Sequence, residues 1–141
     1  MIKGIYGVNI AVKNLEEATR KYEAFFGMKA RPVGANFFAF PGLVGSQFCI
    51  NGFALNLIAS LEPGTSVASF LERRGEGIFL LSVEVDEIDE DAEKARQTGA
   101  AVLLAESARG EFGAVNFVHP KSMAGVQVEL YQPSEAVKFP A

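Results

Sequence analysis

At 141 residues and 49% apolar content the chain is long enough to bury its own core as one compact domain, and too apolar to stay disordered. Its formal net charge of −4, from 13 basic and 17 acidic residues well mixed along the sequence, gives no positive footprint for nucleic acid or an anionic membrane. A single cysteine, Cys49, excludes an internal disulfide and a thiolate metal cluster, and reads as a buried core thiol.

The first segment, "MIKGIYGVNIAVKNLEE", alternates as a strand and turns charged before any apolar run reaches signal-peptide or membrane-spanning length. A cytoplasmic location and no membrane contact are therefore expected. Leu15, Ala18, Tyr22 and Phe25 or Phe26 recur at spacings of three and four, an apolar helix stripe with Asn14 as N-cap and Gly27 at the C-cap. Strands are expected over 29–34, 46–51 and 53–60, with Asn51-Gly52 as a tight hairpin turn. Between the first two, "ANFFAFPG" offers Phe37, Phe38 and Phe40 either as a lid or as sheet or dimer core. "EPGTSVASFLERRGEG" reads as a turn and a linker helix capped by Thr65 or Ser66.

From Leu80 the first pattern returns. "LLSVEVDEIDEDAEKARQTGAAV" lines up with "GVNIAVKNLEEATRKYEAFFGMKA" from Gly7: a strand, an acidic turn, a helix, then a glycine, Gly99, in the place of Gly27. The second helix lies around Ile88, Ala92, Ala95 and Arg96, with Glu87 or Asp89 at its start. Strands follow over 100–106, 114–119 and 126–132. The order is strand, helix, three strands, written twice: residues 1–60, a linker over 61–77, a second module over 78–133 and a tail over 134–141. A sheet with a helix on one face only leaves the other face bare, and two such faces can curve into a shared cup for a small molecule.

The duplicated unit, with "SFLERRGEG", "VEVDEI" and "FVHPKSMAGVQVEL" in that order, resembles the vicinal oxygen chelate superfamily of glyoxalases, extradiol dioxygenases and bleomycin-resistance proteins, and within it the methylmalonyl-CoA epimerases. The resemblance implies an α+β fold of two βαβββ modules pairing into a curved mixed sheet, and commonly a homodimer. It also implies a divalent metal held by a histidine on the first strand and a Glu or Gln on the last strand of each half. Carried over, these four positions fall at Gly7, Asn56, Leu80 and Glu129. Gly7 and Leu80 offer no donor, so the metal site is expected to be lost and no cofactor is expected. His119 matches the family's "HPKS" histidine, which is not a metal ligand, and is a substrate contact or a turn residue.

If Gly7 and Leu80 point inward, alternation puts Asn9, Ala11, Ser82 and Glu84 on the same faces, with Ala54, Asn56 and Ile58 and with Gln127, Glu129 and Tyr131 on the closing strands. Val126, Val128 and Leu130 then face the helix. A carboxylate in such a dry hollow has its pKa raised toward neutrality, where a general base or acid works. Glu129 is accordingly the expected proton-transfer group, with Asn9, Asn56, Leu80, Ser82, Gln127, Tyr131 and His119 as substrate contacts. A relic carboxylate hydrogen-bonded to its neighbours, or an exposed one, are the other readings of Glu129. Arg109 reads as a solvated surface charge or an anion contact. The function expected is a metal-independent isomerase, epimerase or lyase on a small organic molecule. The alternative is a non-catalytic binder of a small molecule or drug, as in bleomycin resistance.

Overall fold

The structure, a computed structural model, describes residues 1–137. The elements run β1 (Ile2–Ala11), α1 (Leu15–Phe26), β2 (Arg31–Val33), β3 (Leu43–Ile50), β4 (Phe53–Ser60), α2 (Ser66–Arg74), β5 (Gly77–Val85), α3 (Ile88–Gln97), β6 (Ala108–Gly110), β7 (Gly113–Val118) and β8 (Val128–Pro133). The fold is α+β, with the βαβββ order written twice and α2 between the copies. By packing, the chain forms two compact units: Val8–Phe79, and Met1–Gly7 together with the residues from Leu80 onward.

In the Val8–Phe79 unit the strands run in the order β2-β3-β4-β1. Helix α1 starts where the Asn14 side chain accepts from Glu17 N at 3.0 Å. It stops at Gly27, whose left-handed backbone (φ 66°) turns its N–H back to Glu23 O. Leu15, Ala18, Tyr22 and Phe26 pack on Val12, Phe48, Leu57 and Ala59 of the sheet. Phe25 is left 84% exposed, so Phe26 is the stripe residue. Asn51 (φ 50°) and Gly52 (φ 82°) both adopt positive φ, the mirror-image turn that matches strand twist. This turn sets the β3–β4 register, with Gln47 opposite Asn56.

The other face of this sheet is half covered. Ala11, Leu43 and Ile58 pack against Val67, Phe70 and Leu71 of α2, joined by Phe38 and Phe79. Thr65, not Ser66, caps α2, accepting from Ala68 N at 3.0 Å. The three phenylalanines of "ANFFAFPG" therefore part company. Phe38 is core, Phe37 lies beneath the Arg31 guanidinium at 5.9 Å from its ring centre, and Phe40 stays 44% exposed.

In the second unit the strands run β5-β8-β7-β6, with β5 and β8 parallel and the other pairs antiparallel. Ile88 and Ala92 of α3 pack on Val85, Ala114 and Leu130. The helix ends at Thr98 rather than on Gly99, which carries the left-handed backbone just beyond it (φ 91°). The strand expected over 100–106 is replaced by a single bridge, Val102 to Val118. Side chains take the backbone groups that a ladder would use. Asn116 accepts from Leu104 N at 3.1 Å and donates to Leu104 O at 3.0 Å, and Arg96 donates to Leu104 O at 2.8 Å. The last strand starts at Val128 rather than 126, because Gly125 (φ 89°) and a turn closed by Val126 N on Met123 O precede it.

Cys49, expected in the core, is half-buried. The tail expected over 134–141 forms a short 3-10 turn at Glu135–Val137, and residues 138–141 lie outside the described residues. Among the described residues no helix is long and apolar enough to cross a membrane.

Candidate functional site

Alternation assigns the faces as the sequence indicates. In the Val8–Phe79 unit Ile10, Val12, Leu55 and Leu57 pack toward α1, which turns Asn9 and Asn56 to the opposite face. There Asn56 Nδ2 donates to Asn9 Oδ1 at 2.8 Å. Asn56 Oδ1 is buried and has no hydrogen-bond partner, alone in this among the buried side-chain atoms of the described residues. Gln47, directly opposite Asn56 and 7% exposed, accepts a hydrogen bond from the Arg31 guanidinium. Sequence reasoning missed Gln47 and Arg31. The two-residue Asn51-Gly52 turn carried the signal, because it fixes 47 opposite 56.

In the second unit Ser82 and Glu129 are in register on the parallel β5–β8 pair, and Ser82 Oγ donates to Glu129 Oε1 at 2.7 Å. Phe117 faces Glu129 from β7. Glu129 is half-buried, and the surrounding protein mass pushes its carboxyl pKa up to about 7, partly offset by the Ser82 hydroxyl, which favours the charged form. Leu80 (3% exposed) and Ser82 (2%) are buried. Gln127 lies just ahead of β8, and its carbonyl accepts from Leu81 N at 3.0 Å.

Two expected substrate contacts are otherwise engaged. The Tyr131 hydroxyl, expected to donate to a substrate oxygen, donates to Phe112 O at 2.7 Å, and its ring meets Tyr6 edge-on at 4.8 Å. Burial raises its pKa further from the working range. His119 Nδ1 accepts from Lys121 N at 3.0 Å, capping the turn at Pro120–Ser122. Arg109 pairs with Asp89 at 2.6 Å on the surface.

The sequence pattern of the Glyoxalase/Bleomycin resistance protein/Dioxygenase superfamily matches residues 7–118. The chain belongs to this superfamily. No match was found among curated protein sequences. Among solved structures, methylmalonyl-CoA epimerase from Mycobacterium tuberculosis is similar at 28% identity and a TM-score of 0.83, covering 96% of this chain and 91% of that one. A variant of Streptomyces coelicolor methylmalonyl-CoA epimerase, in complex with 2-nitronate-propionyl-CoA, is similar at 28% identity and TM-score 0.85, covering 99% and 100%. A hypothetical protein from Bacillus halodurans C-125 shares the fold at 24% identity and TM-score 0.82, covering 96% and 97%.

These likenesses overturn the expectation that the chain carries no divalent metal. The superfamily characteristically holds one, and the similarity to the epimerases extends over nearly the whole chain. The side chains at the four positions remain as read: Asn56 and Glu129 present oxygen, Gly7 and Leu80 present no donor, and no group of three or more His, Cys, Asp or Glu is assembled among the described residues. Taken alone they do not fit the four-donor pattern of the family.

Proposed function

We propose that the protein is a proton-transfer enzyme of this superfamily, an isomerase, epimerase or lyase acting beside the carbonyl of a small organic acid or its thioester. Glu129 is the group that moves the proton. Its carboxylate takes the proton from the carbon next to the carbonyl and the C–H electron pair passes into the enolate; protonation of the enolate on its opposite face gives the epimer, delivery of the proton to another carbon gives the isomer, and expulsion of a group from the β-carbon by the enolate's electron pair gives the lyase product. The observation that carries this assignment is the Ser82–Glu129 pair, in which Ser82 Oγ donates to Glu129 Oε1 at 2.7 Å, and burial pushes the carboxyl pKa up to about 7, which suits a group that takes and gives a proton near neutral pH. The Ser82 hydroxyl fixes which oxygen stays bonded and which edge turns to the substrate. Leu80 and Gln127, in the unit of Glu129, are substrate contacts in this assignment, Asn9 and Asn56 are proposed as ligand contacts of the Val8–Phe79 unit, and Tyr131 and His119 serve the chain itself. A homodimer and a cytoplasmic location belong to the same proposal.

A second reading, a non-catalytic binder of a small organic molecule, is favoured by the buried Leu80 and Gly7 in the family's histidine positions, which make those places apolar. Exchange of the α-proton of methylmalonyl-CoA in D2O, followed by NMR with and without added Co2+ or Mn2+, separates the two. The enzyme reading expects exchange that slows at least ~100-fold in Glu129→Gln while ligand binding is retained. Exchange unaffected by that substitution would sink the role of Glu129. Saturable binding without exchange in any metal condition would favour the binder.

A further inference from the structure

Inversion at a carbon beside a carbonyl makes a demand that one carboxyl does not meet. The proton leaves one face of the planar enolate and a proton arrives on the other, so a second acid has to stand across the substrate from the first. The face that carries Glu129 holds such a group. Val85 and Leu130 pack toward α3, so alternation turns Ser82 and Glu84 of β5, with Glu129 and Tyr131 of β8, to the opposite face.

The parallel register sets these four at the corners of a rectangle, Ser82 beside Glu129 and Glu84 beside Tyr131. Both hydroxyls are already engaged. Ser82 Oγ donates to Glu129 Oε1 at 2.7 Å, and Tyr131 donates to Phe112 O at 2.7 Å with its ring edge-on to Tyr6. The two carboxyls remain, on one diagonal. Glu84, like Glu129, is half-buried, and among the described residues its carboxylate enters no hydrogen bond or ion pair. A strand spacing of ~4.8 Å and a rise of ~3.3 Å per residue put the two backbone positions about 8 Å apart along that diagonal. Contacts of about 3–3.5 Å on each side of a reacting carbon need two oxygens about 6–7 Å apart, a span that two glutamate side chains standing on this face can take up.

We propose that Glu84 is the second catalytic residue of this site, the group that exchanges a proton with the face of the substrate carbon turned away from Glu129, so that the reaction is an epimerisation. In one direction the Glu129 carboxylate removes the α-proton, the C–H electron pair enters the enolate, and the Glu84 carboxylic acid gives its proton to the same carbon from the other side. In reverse the two groups trade roles, and between turnovers each recovers its starting state by proton exchange with water. This inference rests on the functional proposal that Glu129 moves a proton. Glu84 stands at none of the four positions where the family holds its metal, so its role does not depend on whether those positions are occupied.

The experiment gives the full-length protein the R and S epimers of methylmalonyl-CoA separately in D2O, with and without added Co2+ or Mn2+. Exchange of the α-proton is followed by NMR and inversion by chromatography of the two diastereomers. The unsubstituted protein is expected to place solvent deuterium in the inverted epimer on the first turnover. Glu84→Gln should slow inversion at least ~100-fold and leave exchange within ~3-fold for the epimer whose α-proton faces Glu129, while Glu129→Gln should do the same with the epimers reversed. Inversion unchanged in Glu84→Gln, or exchange lost there for both epimers alike, would overturn the assignment of Glu84 and not that of Glu129. An inverted epimer that keeps the substrate's own hydrogen would also overturn it, and this measurement on the unsubstituted chain decides the matter even if Glu84→Gln does not fold. No exchange of either epimer by the unsubstituted protein in any metal condition is a separate failure, that of the proton-transfer reading itself, and removes this inference with it.

Discussion

The two units repeat one order of elements and place unlike chemistry on corresponding faces. In Val8–Phe79 the closing strand presents Asn56, bonded to a second amide, and its neighbour presents Gln47 under an arginine. In the unit from Leu80 onward the closing strand presents Glu129, bonded to a hydroxyl and in register with Phe117 of the neighbouring strand. Amides do not titrate in the working range, so the first face is a fixed array of donors and acceptors. The carboxyl does titrate there, so the second face can give up and recover a proton. A duplicated backbone determines where a polar side chain can stand, while its immediate neighbours decide what it can do.

Buried amides sharpen this contrast. Asn116 of β7 is fully buried, and its amide bonds Leu104 N, Leu104 O, Ser107 Oγ and Phe117 N. Asn116→Ala leaves the Leu104 backbone without these partners and should cost about 3 kcal/mol in urea unfolding. Asn56→Ala breaks one bond and should cost about 1 kcal/mol. Equal losses would break the contrast between a structural amide and one held for a ligand.

The next effect comes from Glu129. Its folded-state pKa of about 7 lies above the ordinary 4.5, so the folded protein holds the proton more tightly than the unfolded chain does. The associated stability is fully present below about pH 4.5 and is lost as pH rises through about 7. At ~1.4 kcal/mol per pH unit, and allowing for half-burial, the loss is about 2 kcal/mol. Glu129→Gln should flatten the dependence of the urea midpoint between pH 5 and 8, and a parallel curve would show that the carboxyl is not desolvated.

Ser82→Ala removes the donor that favours the carboxylate. The midpoint of the same titration should move upward, with a stability change of about 1 kcal/mol. The smallest effect is expected on the surface. Arg109 and Asp89 are 57% and 72% exposed, and Arg109→Ala should change stability by less than about 0.5 kcal/mol. A larger loss would give the arginine more than a solvated role.

Much of the frame was legible in residue spacing. Asn14, Gly27 and the stripe through Tyr22 announced α1, and Asn51-Gly52 announced the hairpin, because caps and turns are decided by a few neighbouring residues. The strand missing from 100–106 was not legible. Its apolar residues satisfy the periodicity of a strand, but Asn116 and Arg96, distant along the chain, claim the Leu104 backbone. The hydroxyl of Tyr131 was similarly read from its face alone, while its partner is the carbonyl of Phe112.

By itself, then, the sequence determined the duplicated βαβββ order, the placing of Asn9, Asn56, Ser82 and Glu129 on the sheet faces opposite α1 and α3, and the superfamily, all of which follow from local periodicity and from motifs in fixed order. The tertiary structure decided which of those polar groups are spent and which are left over. Hydrogen bonds between strands far apart in sequence depend on register and burial, and it is they that join Ser82 to Glu129, tie up Tyr131 and leave the Asn56 oxygen without a partner.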